Sequence, residues 1–392
     1  MHTSDKALSP VVLIIGFLLV ASTLRAPITG IAPVIDQLQT ALELSAVQAG
    51  LLTTLPLLAF GIISPFAPKI ARHYGLEPTI FGAMLLIILG ILLRSTGWTA
   101  TLYLGTSLIG AGIAVGNVLL PSLAKRDFPQ RVPTIMGLCS ITMGGAAAVA
   151  SATVVPLQGI WGWQVALASA LIFPLLTAIV WIRQLKNHTP PATGNAQPDT
   201  QQKPIWRHAL AWQVTLFMGT NSLLYYIFVA WLPSILTTAH ISANTAGSVH
   251  GVMQLATALP GLFLGPIIGK MKDQKLIAAS LALLMLVSLL GFNFYPHLSM
   301  LWAFGFGFGS GGGVLLALIF MSLRTPDIHK AASLSGMAQS IGYFLAACGP
   351  IMVGKLHEIS SGWSMILYLG AALAVVMLVF GLLAGRNRTL PA

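Results

Sequence analysis

"VASTLRAPITGIAPV", residues 20–34, sets Arg25, Pro27 and Pro33 inside an apolar run that begins at Val11. An arginine at the centre of a membrane helix costs about 2.5–3.5 kcal/mol on insertion scales, and each proline removes a backbone donor that no water replaces there. The composition around this stretch decides whether it lies in a membrane. Hydrophobic residues make up 56% of the 392-residue chain and charged residues 7%, with a mean hydropathy of +0.85. An ordinary soluble domain is roughly 25% charged. Apolar runs of about 20 residues, the length that crosses some 30 Å of hydrocarbon, recur along the whole sequence. The fold class this implies is an all-α polytopic membrane protein.

Twelve transmembrane spans are predicted, at about 10–38, 46–71, 77–94, 99–124, 131–156, 163–183, 209–236, 243–270, 274–293, 298–323, 330–355 and 363–385. An even count puts both termini on one side. With that side cytoplasmic, its segments hold seventeen of the twenty Lys and Arg residues. Arg94 and Lys355 lie towards the other side and Arg25 between, so the positive-inside rule is obeyed. The net charge of +11 is scattered in twos and threes and forms no stripe for nucleic acid. Cys139 and Cys348 fall inside predicted spans without a CxxC partner and read as buried, inert thiols, neither disulfide nor metal ligand. No secretory cleavage site follows the first apolar stretch before Arg25, which marks it as a retained span.

The long polar segment 184–208, "QLKNHTPPATGNAQPDTQQKPIWRH", reads as a cytoplasmic linker between six-helix bundles at 1–183 and 209–392. The two halves also echo each other at an offset near 200. Pro33 and Pro233, Gly50 and Gly247, Gly137 and Gly336, and Gly162-Trp163 and Gly362-Trp363 fall in register. Parallel six-helix repeats with a substrate site near the midplane are the expected arrangement.

"LRAPITGIAPVI" (24–35), "TTLPLLAFGIISP" (53–65), "GNVLLPSLAKRDFP" (116–129) and "LSGMAQSIGYFLAACGP" (334–350) resemble the cyanate and nitroimidazole transporter family (CynX/NimT) of the major facilitator superfamily. The likeness covers nearly the whole chain. With "WQVTLF" (212–217), "GSVHGVMQLATALPG" (247–261) and "KDQK" (272–275), it points to the 2-nitroimidazole transporter branch. It implies export of such compounds. One departure stands out: the superfamily's G-x-x-x-D-R-x-G motif between spans 2 and 3 reads "PKIARHYG" (68–75), with Arg72 at the acid. An ion pair made by that acid is absent from the first copy, whereas "GKMKD" (269–273) keeps it in the second.

Arg25 is the first candidate site residue. It lies about fifteen residues, roughly 22 Å of helix, from the start of its span, too deep to snorkel easily to the cytoplasm. A fixed guanidinium there forks onto carboxylate-like or nitro oxygens; alternatively it caps carbonyls freed by Pro27 and Pro33. No acid falls at the same depth, so the cargo is the expected counter-group. His250 and Gln254, four apart in span 8, could bind a heterocycle, with His250 carrying a coupling proton or simply bonding a neighbouring helix. Asn221 and Tyr225 in span 7, with Tyr225 opposite Arg25 in the repeat register, and Gln339 and Tyr343 in span 11 offer amides beside aromatic faces for a flat polar ring. Asn117 in span 4 and Ser140 in span 5 are lesser candidates. As packing residues all of these would look alike. Trp98, Trp161, Trp163 and Trp363 are expected at the lipid interface. "GFGFGSGGG" (305–313) lacks the context of a phosphate loop and reads as close helix packing.

The sequence thus predicts a secondary transporter of a bacterial inner membrane. It would move a small planar polar or anionic compound by alternating access, without cofactor or metal and as a monomer. The movement expected is export of a 2-nitroimidazole-like compound or, alternatively, uptake of cyanate or another small anion. A membrane enzyme is disfavoured by the lack of HExxH, of an acidic metal cluster and of a Ser/His/acid set at one depth. A channel would not need the repeat.

Overall fold

The structure, a computed structural model, describes residues 10–391 apart from 65, 129–130, 186–204, 269–270, 327 and 361. Every regular element among the described residues is helical, as apolar surroundings demand when each backbone group must be satisfied within its own segment. The first crossing is interrupted: α1 (Pro10–Thr23), α2 (Ala26–Thr29) and α3 (Ile35–Leu42) follow one another through short irregular links. Then come α4 (Ala46–Ile63), the short α5 (Ala67–Tyr74), α6 (Leu76–Arg94), α7 (Thr99–Asp127), α8 (Val132–Ala168) and α9 (Ile172–Trp181). The second half comprises α10 (Ala209–Thr238), α11 (Ala243–Ala256), α12 (Pro260–Ile268), α13 (Lys275–Phe294), α14 (Ser299–Leu323), α15 (Ile328–Ser360) and α16 (Ser364–Ala384).

Ten stretches of the described residues are long and apolar enough to cross a membrane. Two local breaks raise this to the twelve expected crossings. At Gly162 (φ 81°, ψ 166°) the backbone leaves helical geometry inside Thr134–Gln184, which therefore holds two crossings. Only glycine adopts that φ without strain. The second break separates α11 and α12, of 14 and 9 residues, each too short to cross alone. Pro260 lacks the N–H that would continue the helix, and the chain turns tightly at Thr257–Leu259. Most of the expected linker lies outside the described residues.

Repeat symmetry is visible in packing. Gly90 and Gly105 bring α6 and α7 backbone to backbone; between α13 and α14, Gly309 meets the Leu281 carbonyl while Gly291, Gly305 and Gly312 make room for the side chains of Trp302, Ser288 and Leu281. At the end where α1 starts, here the near end, a cation closes each pair. Arg126 at the end of α7 bonds the buried Glu77 of α6 and its neighbour Asp127. Arg324, just past α14, bonds Gln274 before α13 and the Ala384 carbonyl. Thus the acid missing from position 72 is supplied five residues later by Glu77, within the first half.

The helices that face each other across the two halves are packed tightly at one end only. Along α4 and α15, a Cβ at Gly50 would lie 2.7 Å from the Pro350 carbonyl oxygen, Thr54 Oγ1 donates to the Ala347 carbonyl at 2.7 Å, and the Phe60 and Tyr343 rings meet edge-on at 6.2 Å. Further along, Gly61 and Gly336 face open space. Along α8 and the broken pair α11 and α12, Gly247 meets Ser151 and Gly251 meets Ala148, whereas Gly137 of α8 and Gly261 of α12 are open. Asp36 of α3 reinforces the far end by accepting from Ser234 (2.6 Å) and Thr237 (3.2 Å) of α10. The close contacts named here between the halves thus lie away from the near end.

Three sequence expectations are corrected. Trp98 and Trp161 are exposed, but Trp163 and Trp363 are each only 7% exposed and pack into the buried clusters. Trp363 stacks on His357 at 4.1 Å and donates to Thr238 Oγ1, so it locks helix ends together instead of facing lipid headgroups. Cys139 is buried but Cys348 is exposed, since it lies on the outer side of α15 away from the Ala346 and Ala347 contact face. Arg94, assigned to an outer boundary, is 1% exposed. Replacing Gly105 by valine would drive a side chain into the Gly90 carbonyl and to within 2.5 Å of the Arg94 amide nitrogen. A loss of about 1–3 kcal/mol is expected, read as a lower thermal midpoint of the purified protein.

Candidate functional site

Two broken helices meet where the halves join. Arg25 caps α2 with non-helical angles (φ −130°, ψ −41°), and its carbonyl accepts from the Ile28 and Thr29 amides at 3.2 Å. Gly116 of α7 leaves room for the Leu24 side chain beside it. On the other side, Gly307 and Gly311 of α14 let the break at Thr257 press against that helix; any Cβ at either position would collide with a carbonyl of Met253 or Thr257. The glycine-rich run thus serves close packing, as its sequence suggested.

Arg25 reaches across this junction. Its Nη2 donates to the Tyr225 hydroxyl and its Nη1 to Thr257 Oγ1 at 3.1 Å, with the guanidinium carbon 5.1 Å from the Tyr225 ring centroid. Tyr225 donates to Gln254 Oε1 (2.7 Å), Gln254 Nε2 meets His250 Nε2 (3.2 Å), and His250 Nδ1 meets Ser151 Oγ (2.8 Å). Ser151 donates to the Thr29 carbonyl at 3.3 Å, which returns the circuit to α2. Donor and acceptor roles are fixed once both ends are known. Ser151 spends its proton on Thr29, so it accepts from His250 Nδ1–H, and the bare Nε2 accepts from the Gln254 amide. In this arrangement His250 is neutral, and every member of the buried chain is satisfied.

The guanidinium is not saturated. Of its five N–H groups two have partners among the described residues, leaving three. None of the four ion pairs among the described residues involves Arg25, and the residue is half-buried, not sealed. The rings of Tyr225 and Tyr226 pack edge-on at 5.0 Å, and Tyr226 and Tyr343 both pack against the buried cluster that contains Leu24. The arrangement is a cation with three fork donors unpartnered among the described residues, set against the Tyr225 ring at the junction of the two halves.

Of the residues expected at the site, Arg25, Tyr225, His250 and Gln254 meet in this network, and Tyr343 packs against Phe60 and the cluster that contains Leu24. The other candidates stand apart from the network. Asn221 is fully buried and turns its amide towards α14, donating to the Ser310 carbonyl at 3.1 Å. Gln339 donates to Ser335 on its own helix (2.7 Å), Asn117 is exposed and Ser140 half-buried. Ser151 and Thr257 were missed, because isolated hydroxyls on apolar helices carry no periodic signal. Arg94 was missed as a buried group; its position after "GILL" at a span end resembles a boundary arginine.

Residues 13–350 match the Major Facilitator Superfamily, and the chain belongs to that family. It is a membrane transporter. It is 48% identical over 98% of its length to the 2-nitroimidazole transporter of Escherichia coli (strain K12), 98% of which is covered. It is 28% identical over 90% of its length to the cyanate transport protein CynX of the same organism, covering 92% of it. The fold is similar to that of a mutant of the nucleoside transporter NupG, with a TM-score of 0.76, 11% identity, and coverage of 95% of this chain and all of the other. The resemblance read from the sequence is thereby borne out.

Tyr225→Phe removes the donor to Gln254 Oε1 found among the described residues, and an acceptor of Arg25. A buried amide oxygen left unpaired costs about 1–3 kcal/mol, so the thermal midpoint of the ligand-free variant is expected to fall.

Proposed function

We propose that this transporter exports small, planar, nitro-bearing heterocycles of the 2-nitroimidazole type by alternating access. The observation that carries the reading is the half-buried Arg25 guanidinium with three N–H groups unpartnered and no carboxylate bonded to it among the described residues. A nitro group presents two oxygens at the spacing a guanidinium fork matches, and Tyr226 and Tyr343 supply flat apolar faces for the ring. The similarity to the 2-nitroimidazole transporter over nearly the whole of both chains supports the same substrate class. Asn117, Ser140, Asn221 and Gln339 are proposed as contacts only in a state where the halves have moved, Asn221 last because its amide holds α14.

In this reading residues 1–183 and 209–392 rock about the Arg25 junction, and the described state opens to the near end, which carries both termini on the cytoplasmic side of the bacterial inner membrane. Cargo enters there, completes the guanidinium's hydrogen bonds and replaces Tyr225 or Thr257. Those contacts tie the halves together, so their loss lets the far-end contacts of Asp36 release. A coupling proton fits the same circuit. Protonation of His250 would place an Nε2–H against the Gln254 amide donor, which forces that amide to turn over and takes its oxygen away from Tyr225. Proton occupancy and the grip on Arg25 are thereby opposed. The second reading, uptake of cyanate or another small anion, is favoured by the similarity to CynX and by the cationic character of the site.

Overexpression is expected to protect cells from growth inhibition by a 2-nitroimidazole, and overexpression of an inserted Arg25→Ala variant not to; sensitisation to cyanate by the wild-type protein would favour uptake instead. For coupling, transport by the wild-type protein is expected to vary between about pH 5 and 8 while that of His250→Gln does not. An unchanged profile in the variant would remove His250 from the proton path.

A further inference from the structure

Arg94 is the second arginine inside the bundle, and unlike Arg25 it is 1% exposed. It ends α6, and the backbone contact of Gly90 with Gly105 presses that end against α7, turning its side chain inward. Nη1 donates to the Pro27 carbonyl at 2.6 Å and Nη2 to the Leu167 carbonyl at 3.4 Å, while Nε has no partner among the described residues. Both acceptors belong to helix ends. Pro27 is the second residue of α2, and the Ile31 amide that would have bonded its carbonyl turns to Ile28 instead. Leu167 stands at the last turn of α8, before the single 3-10 turn at Ser169–Leu171. A small cavity lined by Ala26, Pro27, Gly30, Ala150, Leu167 and Ala170 lies beside the guanidinium, next to the buried α2 residues Ala26 and Pro27.

We infer that Arg94 is a positioning residue for Arg25. It grips the carbonyl two residues beyond Arg25 and fixes the four-residue helix that Arg25 caps, setting where the substrate-facing guanidinium stands. Helix α2 is too short to hold its own geometry. Its other polar tie near this point is the Ser151 bond to Thr29, so α2 hangs between two side chains, Ser151 on the network side and Arg94 on the cavity side. A planar fork reaches two carbonyls on different helices at once; an ammonium on a flexible stem does not hold both in one geometry. The inference rests on the proposed substrate role of Arg25.

The test measures the KM and maximal rate of 2-nitroimidazole transport by purified protein in vesicles for Arg94→Lys, Arg25→Lys and the double variant. Arg94→Lys is expected to raise KM about tenfold, a displacement of Arg25 by a fraction of an ångström being enough, with a smaller change in maximal rate per folded molecule. In the Arg25→Lys background the same substitution is expected to change KM less than about twofold, because its effect passes through Arg25. Should Arg94→Lys insert poorly, Ala170→Val, which crowds the cavity and keeps the guanidinium, is expected to raise KM in the same direction. An unchanged KM in the Arg94 and Ala170 variants, alongside a raised KM in Arg25→Lys, would overturn the inference and leave Arg94 a structural clamp. An unchanged KM in Arg25→Lys would instead overturn the substrate role on which it depends.

Discussion

A guanidinium placed deep in an apolar bundle, with no carboxylate bonded to it among the described residues, sets the terms for everything around it. Charge cannot be left bare in such surroundings, and an ion pair inside the protein would neutralise it permanently. Here Arg25 is held instead by neutral acceptors, the Tyr225 hydroxyl and Thr257 Oγ1, which stabilise the cation without cancelling it. A cation kept in this way retains an attraction for an anionic or strongly dipolar group. The cost of keeping it is distributed over a hydrogen-bonded circuit that runs through Gln254, His250 and Ser151 and returns to the carbonyl of Thr29.

That circuit also explains why the helices are broken where they are. A continuous helix satisfies its own backbone and offers nothing to a ligand. The breaks at Leu24–Arg25 and Thr257–Leu259 free backbone groups and swing side chains into the gap between the halves. They are tolerated because glycines let neighbours come close, Gly116 beside the first and Gly307 and Gly311 beside the second, and because Arg94 takes the carbonyl orphaned at Pro27. Small residues in the chain are thus the counterpart of the polar ones. Without backbone-to-backbone approach there would be no room for the irregular segments.

Because the circuit crosses from one half to the other several times, the contacts that hold the cation also hold the halves. Arg25 and Ser151 come from the first half, Tyr225, His250, Gln254 and Thr257 from the second. A ligand that competes for any of these partners acts on the junction itself. The far-end contacts of Asp36 with Ser234 and Thr237 are hydrogen bonds to neutral hydroxyls and can be exchanged for water, whereas the near-end cation clamps of Arg126 and Arg324 lie within their own halves and do not oppose separation.

The sequence by itself determined the crossings, the two-fold register and the oddity of Arg25, because hydrophobic length, glycine and proline positions and an intramembrane charge are properties of the chain that no packing can alter. It also put Tyr225 opposite Arg25 and His250 one turn from Gln254, since repeat offset and helical period are arithmetic. What it could not supply was which polar side chains meet. Asn221 and Tyr225 share a spacing of one turn, yet the first turns to Ser310 and the second to Arg25, because the packing of α14 against α10 brings a carbonyl within reach of one and the break before α2 brings a cation within reach of the other. Ser151, Thr257 and Arg94 likewise became partners only when helix ends from distant parts of the chain were set side by side. Tertiary structure decided the site for a physical reason: a hydrogen bond is fixed by distances of about 3 Å between elements, and the pattern of a single helix carries no information about its neighbours at that scale.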